Sequence, residues 1–520
     1  MKFKILFVTI ILLAFFLRFY KLSQIPSSLD WDEASNAYNA YSILKTARDQ
    51  YGSFLPVTNR SFDDYKPPLY MYLNVPTIAI FGLTPLAARL PSAIFGFLTI
   101  PLVYFLTKKL FRDRNIALLA MFLLAISPWH IQFSRVGFEA NVGLFMATSA
   151  ICTFLYGIKN KKLLILSGIL IGASFYSYHT ERIFVPLIFI VILALWRKEI
   201  FSLSKKYLLS FVIIAVAVAL PLIIFIPPQV ILQRFETTTS GSKLENVEKS
   251  IRYINQDGNT GVAKIIHNRR IIIAETYIAN YLSHFDFNFL FTKGDDNFRH
   301  HVEGIGMLYL FELPLVFYGA YCLIRGKTKA GAFIIFWLLL APIAASPASP
   351  APHAVRSLPE VIPLEIISAY GLYKLATKKL FAQKFILPVF YIWIAASFLI
   401  YQENYWIQYP DKFASFWQFG YKEAVQESAK IKNQYQKINV DRSLEQAYIF
   451  WLFTTKYDPK SYQTTGSRNH FDKYYFEAKP PTQANELFIS DAKIFPQSFE
   501  VVKVIYYPDA TEAIKIGHPR

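Results

Sequence analysis

The chain has 520 residues, of which 54% are hydrophobic, 17% aromatic and 17% charged. Typical soluble domains are about 25% charged, and apolar runs of about 18 residues or more recur here, so the composition excludes an ordinary soluble protein and points to a polytopic membrane protein. The net charge of +18 does not signal nucleic acid, because many basic residues sit in short clusters between apolar runs, where the positive-inside rule places them.

In chain order, an apolar segment at 5–20 follows Lys2 and Lys4. It lacks a small-residue cleavage site, so it predicts a retained anchor with a cytoplasmic N-terminus. A polar, acidic and aromatic loop follows at once, making 21–88 the first external region. Within it, 68–82 offers about 15 apolar-dominated residues interrupted by Asn74 and Pro76, where a crossing needs about 20. It is predicted to lie flat in the outer interface. Later crossings are then expected near 89–106, 116–129, 142–158, 163–178, 183–196, 207–226, 305–324, 332–345, 358–375 and 385–401. That makes about 11 transmembrane helices, and the basic clusters between them fall inside. Cys152 and Cys322 both lie in apolar runs, so they make no disulfide framework and say nothing of compartment.

Two external regions are large. The loop 227–304 has a helical part, 244–281, and then FDFNFLFTKGDDNFRHH. From 405 to 520 the chain is polar, with a helix predicted at 417–432 and strands at 437–440, 474–477, 487–490 and 501–507. The expected organisation is a membrane domain, 1–404, and an external α/β domain, 405–520.

The charged outer ends carry the functional reading. Asp32 and Glu33 open a helical pattern, ASNAYNAYSILKTA. They can cap that helix, or one can serve as a general base for a hydroxyl at the membrane face. Lys66, before Pro67-Pro68, is either a snorkelling lysine or a phosphate contact. Arg135 and Glu139 have the spacing of a helix ion pair. Arg182 and Arg356 suit interfacial anchoring when taken singly, but several cations on the face that bears a carboxylate suggest an anionic ligand. His300, His301 and His353 show no tight metal-ligand spacing. The chain has neither a phosphate-binding glycine loop nor a dinucleotide fingerprint, which disfavours soluble-nucleotide chemistry.

The blocks LRFYKLSQIPSSLDWDEASNAYNA, DYKPPLYMYL and AARLPSAIFG, in that order, resemble the GT-C glycosyltransferases of the protein O-mannosyltransferase and lipid A aminoarabinose transferase type. SRVGFEAN, GDDNFRHHVEGIG and HAVRSLP are similar to later signatures, so the resemblance covers roughly residues 1–400. It implies a GT-C fold and an enzyme that uses a polyprenyl-phosphate sugar donor and a protein, lipid or glycan acceptor. It implies that Asp32 is the catalytic carboxylate with Glu33 beside it, and that Lys66, Arg135, Arg182 and Arg356 meet the donor phosphate. Glu139, Asp64, Tyr65 and His179 are the expected acceptor or donor-sugar contacts. Glu139 stands where the family often has aspartate, and Tyr65 stands where the aminoarabinose transferases have an acid. No cofactor is implied with certainty, and a divalent metal is compatible with the pattern. The expected location is the plasma membrane, with the site and the C-terminal domain on the extracytoplasmic side. The rival readings are a lipid-sugar flippase and a catalytically silent partner of a related transferase. A flippase needs the same cations but no one-sided acidic pair, and the inverted repeats common in transporters are not evident.

Overall fold

A computed structural model describes residues 2–226, 244–378 and 383–520. Residues 227–243, the start of the predicted loop 227–304, lie outside the described residues. Every predicted crossing falls on a helix, beginning with α1 (Lys2–Phe19), α4 (Pro85–Phe111), α5 (Arg114–Ile126), α7 (Glu139–Gly157), α8 (Lys162–Ser174) and α9 (Glu181–Leu195). Helices Lys205–Phe225, Glu312–Gly326, Lys329–Leu340, Val361–Thr377 and Gln383–Glu403 follow. Among the described residues, four helical stretches are long and apolar enough to cross a membrane: Pro85–Phe111, Glu139–Gly157, Lys205–Leu222 and Ile386–Lys412. A fifth arises if α5 and α6 (Pro128–Arg135), bent by 56° at Ser127, form one span. Pro128 explains the break: it lacks an amide donor and suits a helix start.

The described chain forms two compact units. One comprises residues 1–18, 95–134 and 138–401 and holds most of the apolar helices. Its helices approach closely at small residues, as membrane bundles do. Helices Glu312–Gly326 and Val361–Thr377 meet at Gly319 and Gly371, where a Cβ would stand 2.1 Å from the Ile367 carbonyl oxygen and 2.3 Å from that of Leu315. Neither site admits a side chain without separating the helices.

The other unit comprises residues 19–94, 135–137 and 402–520. The polar region after the first helix and the C-terminal α/β segment therefore share one core. Ala34, Ala37, Tyr38 and Ala40 of α2 (Trp31–Thr46) are buried in a cluster with Ile438, Val440, Trp451 and Leu452. The small alanines let α2 lie close to its partners. The polar side of the junction is also paired: Tyr38 Oη donates to the Tyr457 carbonyl at 3.0 Å, and Gln463 Nε2 donates to Ser42 Oγ at 2.9 Å.

A hairpin of β1 (Asn59–Ser61) and β2 (Asp64–Lys66) leads into α3 (Leu69–Phe81), the helix expected to lie flat. The C-terminal sheet comprises β3 (Lys437–Asp441), β4 (His470–Phe471), β5 (Tyr474–Ala478), β6 (Glu486–Asp491), β7 (Phe499–Tyr506) and β8 (Glu512–Pro519). Its spatial order is β4-β5-β3-β6-β8-β7. β3 runs parallel to β5 and β6, and the remaining pairs are antiparallel. The four predicted strands are all present. The hairpin, β4 and β8 were not expected, and the predicted helix 417–432 is helical over Tyr421–Ile431 after a 3-10 turn at Ala414–Trp417.

Candidate active site

The start of α2 separates the two adjacent carboxylates by helix phase. Asp30, in an extended conformation, is the N-cap: its Oδ1 accepts from the Glu33 amide at 2.8 Å, and Glu33 Oε2 accepts from the Asp30 amide at 3.1 Å. The capping expected of the Asp32-Glu33 pair is thus performed by Asp30 and Glu33, a reciprocal box that satisfies two amide donors. Glu33 is buried and accepts three more bonds, from Arg89 Nε at 2.9 Å, Arg89 Nη2 at 3.2 Å and the Gly137 amide at 2.8 Å. Arg89, fully buried, also donates to the carbonyls of Leu22 (3.2 Å), Pro26 (2.9 Å) and Ser28. A Cβ on Gly137 would lie 3.0 Å from Glu33 Cγ and 3.2 Å from Tyr70 Oη, so glycine is what lets its amide reach the carboxylate. Glu33 has no oxygen left for a proton from a substrate.

Asp32 differs. Its side chain is 37% exposed, and one oxygen meets Lys66 Nζ at 2.5 Å. Lys66 ends β2, in register with Asn59 across the hairpin, and Pro67-Pro68 follow as the chain turns into α3. Asp64 and Tyr65 precede it on β2, both half-buried, with Asp64 Oδ1 accepting from the Tyr65 amide at 2.8 Å. Arg135 is the last residue of α6 and fully buried. Its Nε donates to Tyr405 Oη at 3.1 Å, its Nη2 donates to the Ile25 carbonyl at 3.2 Å, and its guanidinium lies 4.4 Å from the Trp406 ring centroid. Stacking on an aromatic face holds a desolvated guanidinium without neutralising it. α6 stops at Arg135 and α7 starts at Glu139, so the two residues do not lie along one helix as their spacing allowed.

Asp32, Glu33, Asp64, Tyr65, Lys66 and Arg135 therefore belong to one unit, while Glu139, His179, Arg182 and Arg356 belong to the other. Arg182, in the first turn of α9, donates Nε to the Phe175 carbonyl at 3.1 Å and lies 3.2 Å from His179 Nδ1. Thr180 Oγ1 donates to the Arg356 carbonyl at 3.1 Å, which ties this turn to the HAVR loop. Arg356 Nη1 is buried and has no hydrogen-bond partner among the described residues, an orphan donor that suits an anionic guest.

Beside Arg356 is a cluster that brings His300 and His353, whose spacing in the sequence showed no tight ligand pattern, together with Asp295, which the sequence reading did not single out. Asp295, His300 and His353 bring one ligand atom each to within 4.8 Å of one another. Asp295 Oδ2 meets His300 Nδ1 at 2.6 Å and accepts from the Ala354 amide at 2.9 Å. The buried Nδ1 of His353 has no partner among the described residues. Burial and then the Arg356 charge push the His353 imidazole well below its usual range. Burial pushes His284, whose Nε2 accepts from the His353 amide, down to about 4. Burial would raise the Asp295 carboxyl, but the charge and hydrogen bond of His300 hold it below the usual carboxylate range. An ionised carboxylate and two imidazoles form a donor set that can hold a divalent cation.

Sequence reasoning also missed Arg89 and Gly137 as support for Glu33, and Tyr405 and Trp406 as the cradle of Arg135. Arg89 carried a readable signal, being an arginine at the edge of an apolar run.

Comparison with known proteins agrees with this architecture. Residues 65–225 match the dolichyl-phosphate-mannose-protein mannosyltransferase family. An uncharacterised protein of Aquifex aeolicus (strain VF5) is 29% identical over 185 residues, 35% of this chain and 41% of that protein, so the match spans less than half of that relative. The solved structure of ArnT from Cupriavidus metallidurans in the apo state is similar with a TM-score of 0.54 at 11% identity, covering 99% of this chain and 97% of that one. The Archaeoglobus fulgidus oligosaccharyltransferase in complex with Zn and sulfate is similar with a TM-score of 0.51 at 15% identity, covering 98% of this chain and 72% of that one. Against its apo form, the covered share of the archaeal chain is 63%. The chain shares the fold of these two solved structures, and residues 65–225 match the mannosyltransferase family.

Proposed function

We propose that this protein is an inverting glycosyltransferase that moves a sugar from a polyprenyl-phosphate donor to an acceptor hydroxyl at the outer membrane face. Asp32 takes the hydroxyl proton, the acceptor oxygen bonds to the anomeric carbon, and the carbon–oxygen bond to phosphate breaks with its electron pair leaving on the lipid phosphate. A positioned base of this kind contributes about 10²–10⁴-fold, and neutralising the departing phosphate removes the need for a general acid. The observation that carries this reading is the Asp32–Lys66 pair: one half-exposed carboxylate, held by a lysine at 2.5 Å. Lysine serves phosphates as a point charge. A donor phosphate would draw Lys66 away and free the Asp32 oxygen, coupling donor binding to base activation.

In this reading Glu33 positions Asp32 through the Arg89 lattice rather than acting on substrate. Arg135, Arg182 and Arg356 supply further positive charge to the phosphate, and Glu139, Asp64, Tyr65 and His179 contact the sugar or acceptor. About 11 helices cross the membrane, with the N-terminus cytoplasmic and both external regions on the far side. The membrane unit is 1–404 and the external domain 405–520, joined through the packing of 21–88. The fold supports a lipid-linked donor, since an ArnT structure of TM-score 0.52 is bound to undecaprenyl phosphate. Asp295, His300 and His353 would hold a divalent metal, which would add positive charge near a phosphate.

The test is purified protein in lipid nanodiscs with a polyprenyl-phosphate sugar. Acceptor-dependent release of free lipid phosphate is expected, and it should be lost in Asp32→Asn. Wild-type turnover in Asp32→Asn would remove the proposed base. Lipid passage across vesicles without sugar transfer would select the flippase.

A further inference from the structure

The unit that carries Asp32 also carries two adjoining clefts, of about 410 and 620 Å³, which share Arg468 and Glu477. The smaller is lined at one end by Trp31, the residue before Asp32, and otherwise by the C-terminal segment, including Arg442, Glu445 and Gln446. The larger is bounded by Tyr51, Arg60 and Asp63 of the first external region together with Gln463 and Asn469. No element of the proposed donor site uses either cleft.

Arg468 is a fixed post between them. Its Nη1 donates to Asp63 Oδ1 at 2.6 Å and its Nη2 donates to Gln446 Oε1 at 3.4 Å, while the guanidinium lies 6.0 Å from the Phe62 ring and 5.8 Å from the Tyr448 ring. Arg60 lies 4.5 Å from the Tyr51 ring centroid, and the hydroxyls of Tyr51 and Tyr448 are 3.4 Å apart. Arg442, Glu445 and Glu477 are exposed and make no ion pair among the described residues.

This lining selects a ligand class. Its cations, Arg60, Arg442 and Arg468, are matched one for one by Asp63, Glu445 and Glu477. A phosphorylated headgroup would call for a surplus of positive charge, and a lipid tail for apolar walls. Instead the walls combine planar two-pronged groups with aromatic side chains. Guanidinium, carboxylate and amide forks match pairs of neighbouring hydroxyls, and the partly buried Trp31 ring in the smaller cleft suits the apolar face of a pyranose.

We infer that the paired clefts bind a neutral oligosaccharide, the acceptor chain, whose terminal hydroxyl reaches Asp32 past Trp31. The acceptor role rests on the proposed transferase reading; the binding does not. The C-terminal segment is then the part of the chain that chooses the acceptor.

The experiment is equilibrium binding to the full detergent-purified chain with no donor present. The probes are neutral oligosaccharides, Ser/Thr-containing peptides and a phosphorylated glycolipid in mixed micelles. Neutral oligosaccharides should bind, quench tryptophan fluorescence and bind at least tenfold more weakly to Glu445→Ala and Arg442→Ala. Both changes are at exposed side chains, so folding is retained; Arg468→Ala should weaken binding further. Selective binding of the peptide or glycolipid overturns the inference, as does oligosaccharide binding indifferent to all three substitutions. Asp32→Asn should still bind oligosaccharide while losing turnover, so failure of the cleft and failure of the catalytic reading give different results.

Discussion

The strongest quantitative test of the site's construction is Arg89→Met. The substitution keeps an unbranched stem, shorter than that of arginine, and removes five hydrogen bonds: two to Glu33 and three to the carbonyls of Leu22, Pro26 and Ser28. Both partners of the ion pair are desolvated, with side-chain exposures of 0% and 2%. Removing one partner of a buried pair strands the other charge and costs about 3–5 kcal/mol. At about 2–4 °C per kcal/mol for a unit of this size, the melting temperature should fall by roughly 6–20 °C. The assay is thermal unfolding followed by tryptophan fluorescence, to which buried Trp417 and Trp451 of the same unit respond. The double variant Arg89→Met/Glu33→Gln should recover part of the loss, because it removes the stranded charge together with its partner. An unchanged melting temperature with abolished turnover would refute this reasoning and make the pair chemical rather than structural.

Lys66→Met should raise the apparent donor KM at least tenfold while leaving the melting temperature within a few degrees, since a partly exposed pair contributes about 0–1 kcal/mol. Steady-state kinetics beside a melting curve checks this, and an unchanged donor KM removes Lys66 from the phosphate site. Gly371→Ala should destabilise the helical unit by about 1–3 kcal/mol, as overpacking does, because its Cβ would stand 2.3 Å from the Leu315 carbonyl oxygen. An undiminished unfolding temperature would contradict that close crossing. Purified wild-type protein should carry a divalent metal measurable by plasma mass spectrometry, and His300→Ala/His353→Ala should lose it. Equal metal in both proteins would leave Asp295, His300 and His353 as a hydrogen-bonded cluster.

Much of the fold was legible because it rests on local composition. Each predicted crossing lies on a helix, since an apolar run of helical length has few other ways to satisfy its backbone in lipid. The strands at 437–440 and 501–507 were readable from alternation and β-branched residues, and both are present. β8, EAIKIGHP, was hidden by Gly517 and Pro519, and the β1–β2 hairpin by the polar run NRSFDDYK. Among site residues, Asp32 and Lys66 were visible as charges beside apolar runs, and the structure pairs them. That Asp30 rather than Asp32 caps α2 was not visible, because three acids within four positions offer several equivalent caps.

The sequence alone determined a chain of recurrent apolar helices with one acidic, aromatic polar loop after the first of them, because hydrophobic partitioning and charge placement are properties of short stretches. Only the tertiary structure decided which carboxylate of the adjacent pair is open. Glu33 is closed by Arg89, 56 positions away, and by the amide of Gly137, 104 positions away. The tertiary structure also decided that the C-terminal sheet shares its core with α2, and that His353 stands beside Asp295 and His300. Such contacts arise where distant segments bury surface against one another, and that burial depends on the shape of both partners, which neither segment encodes by itself.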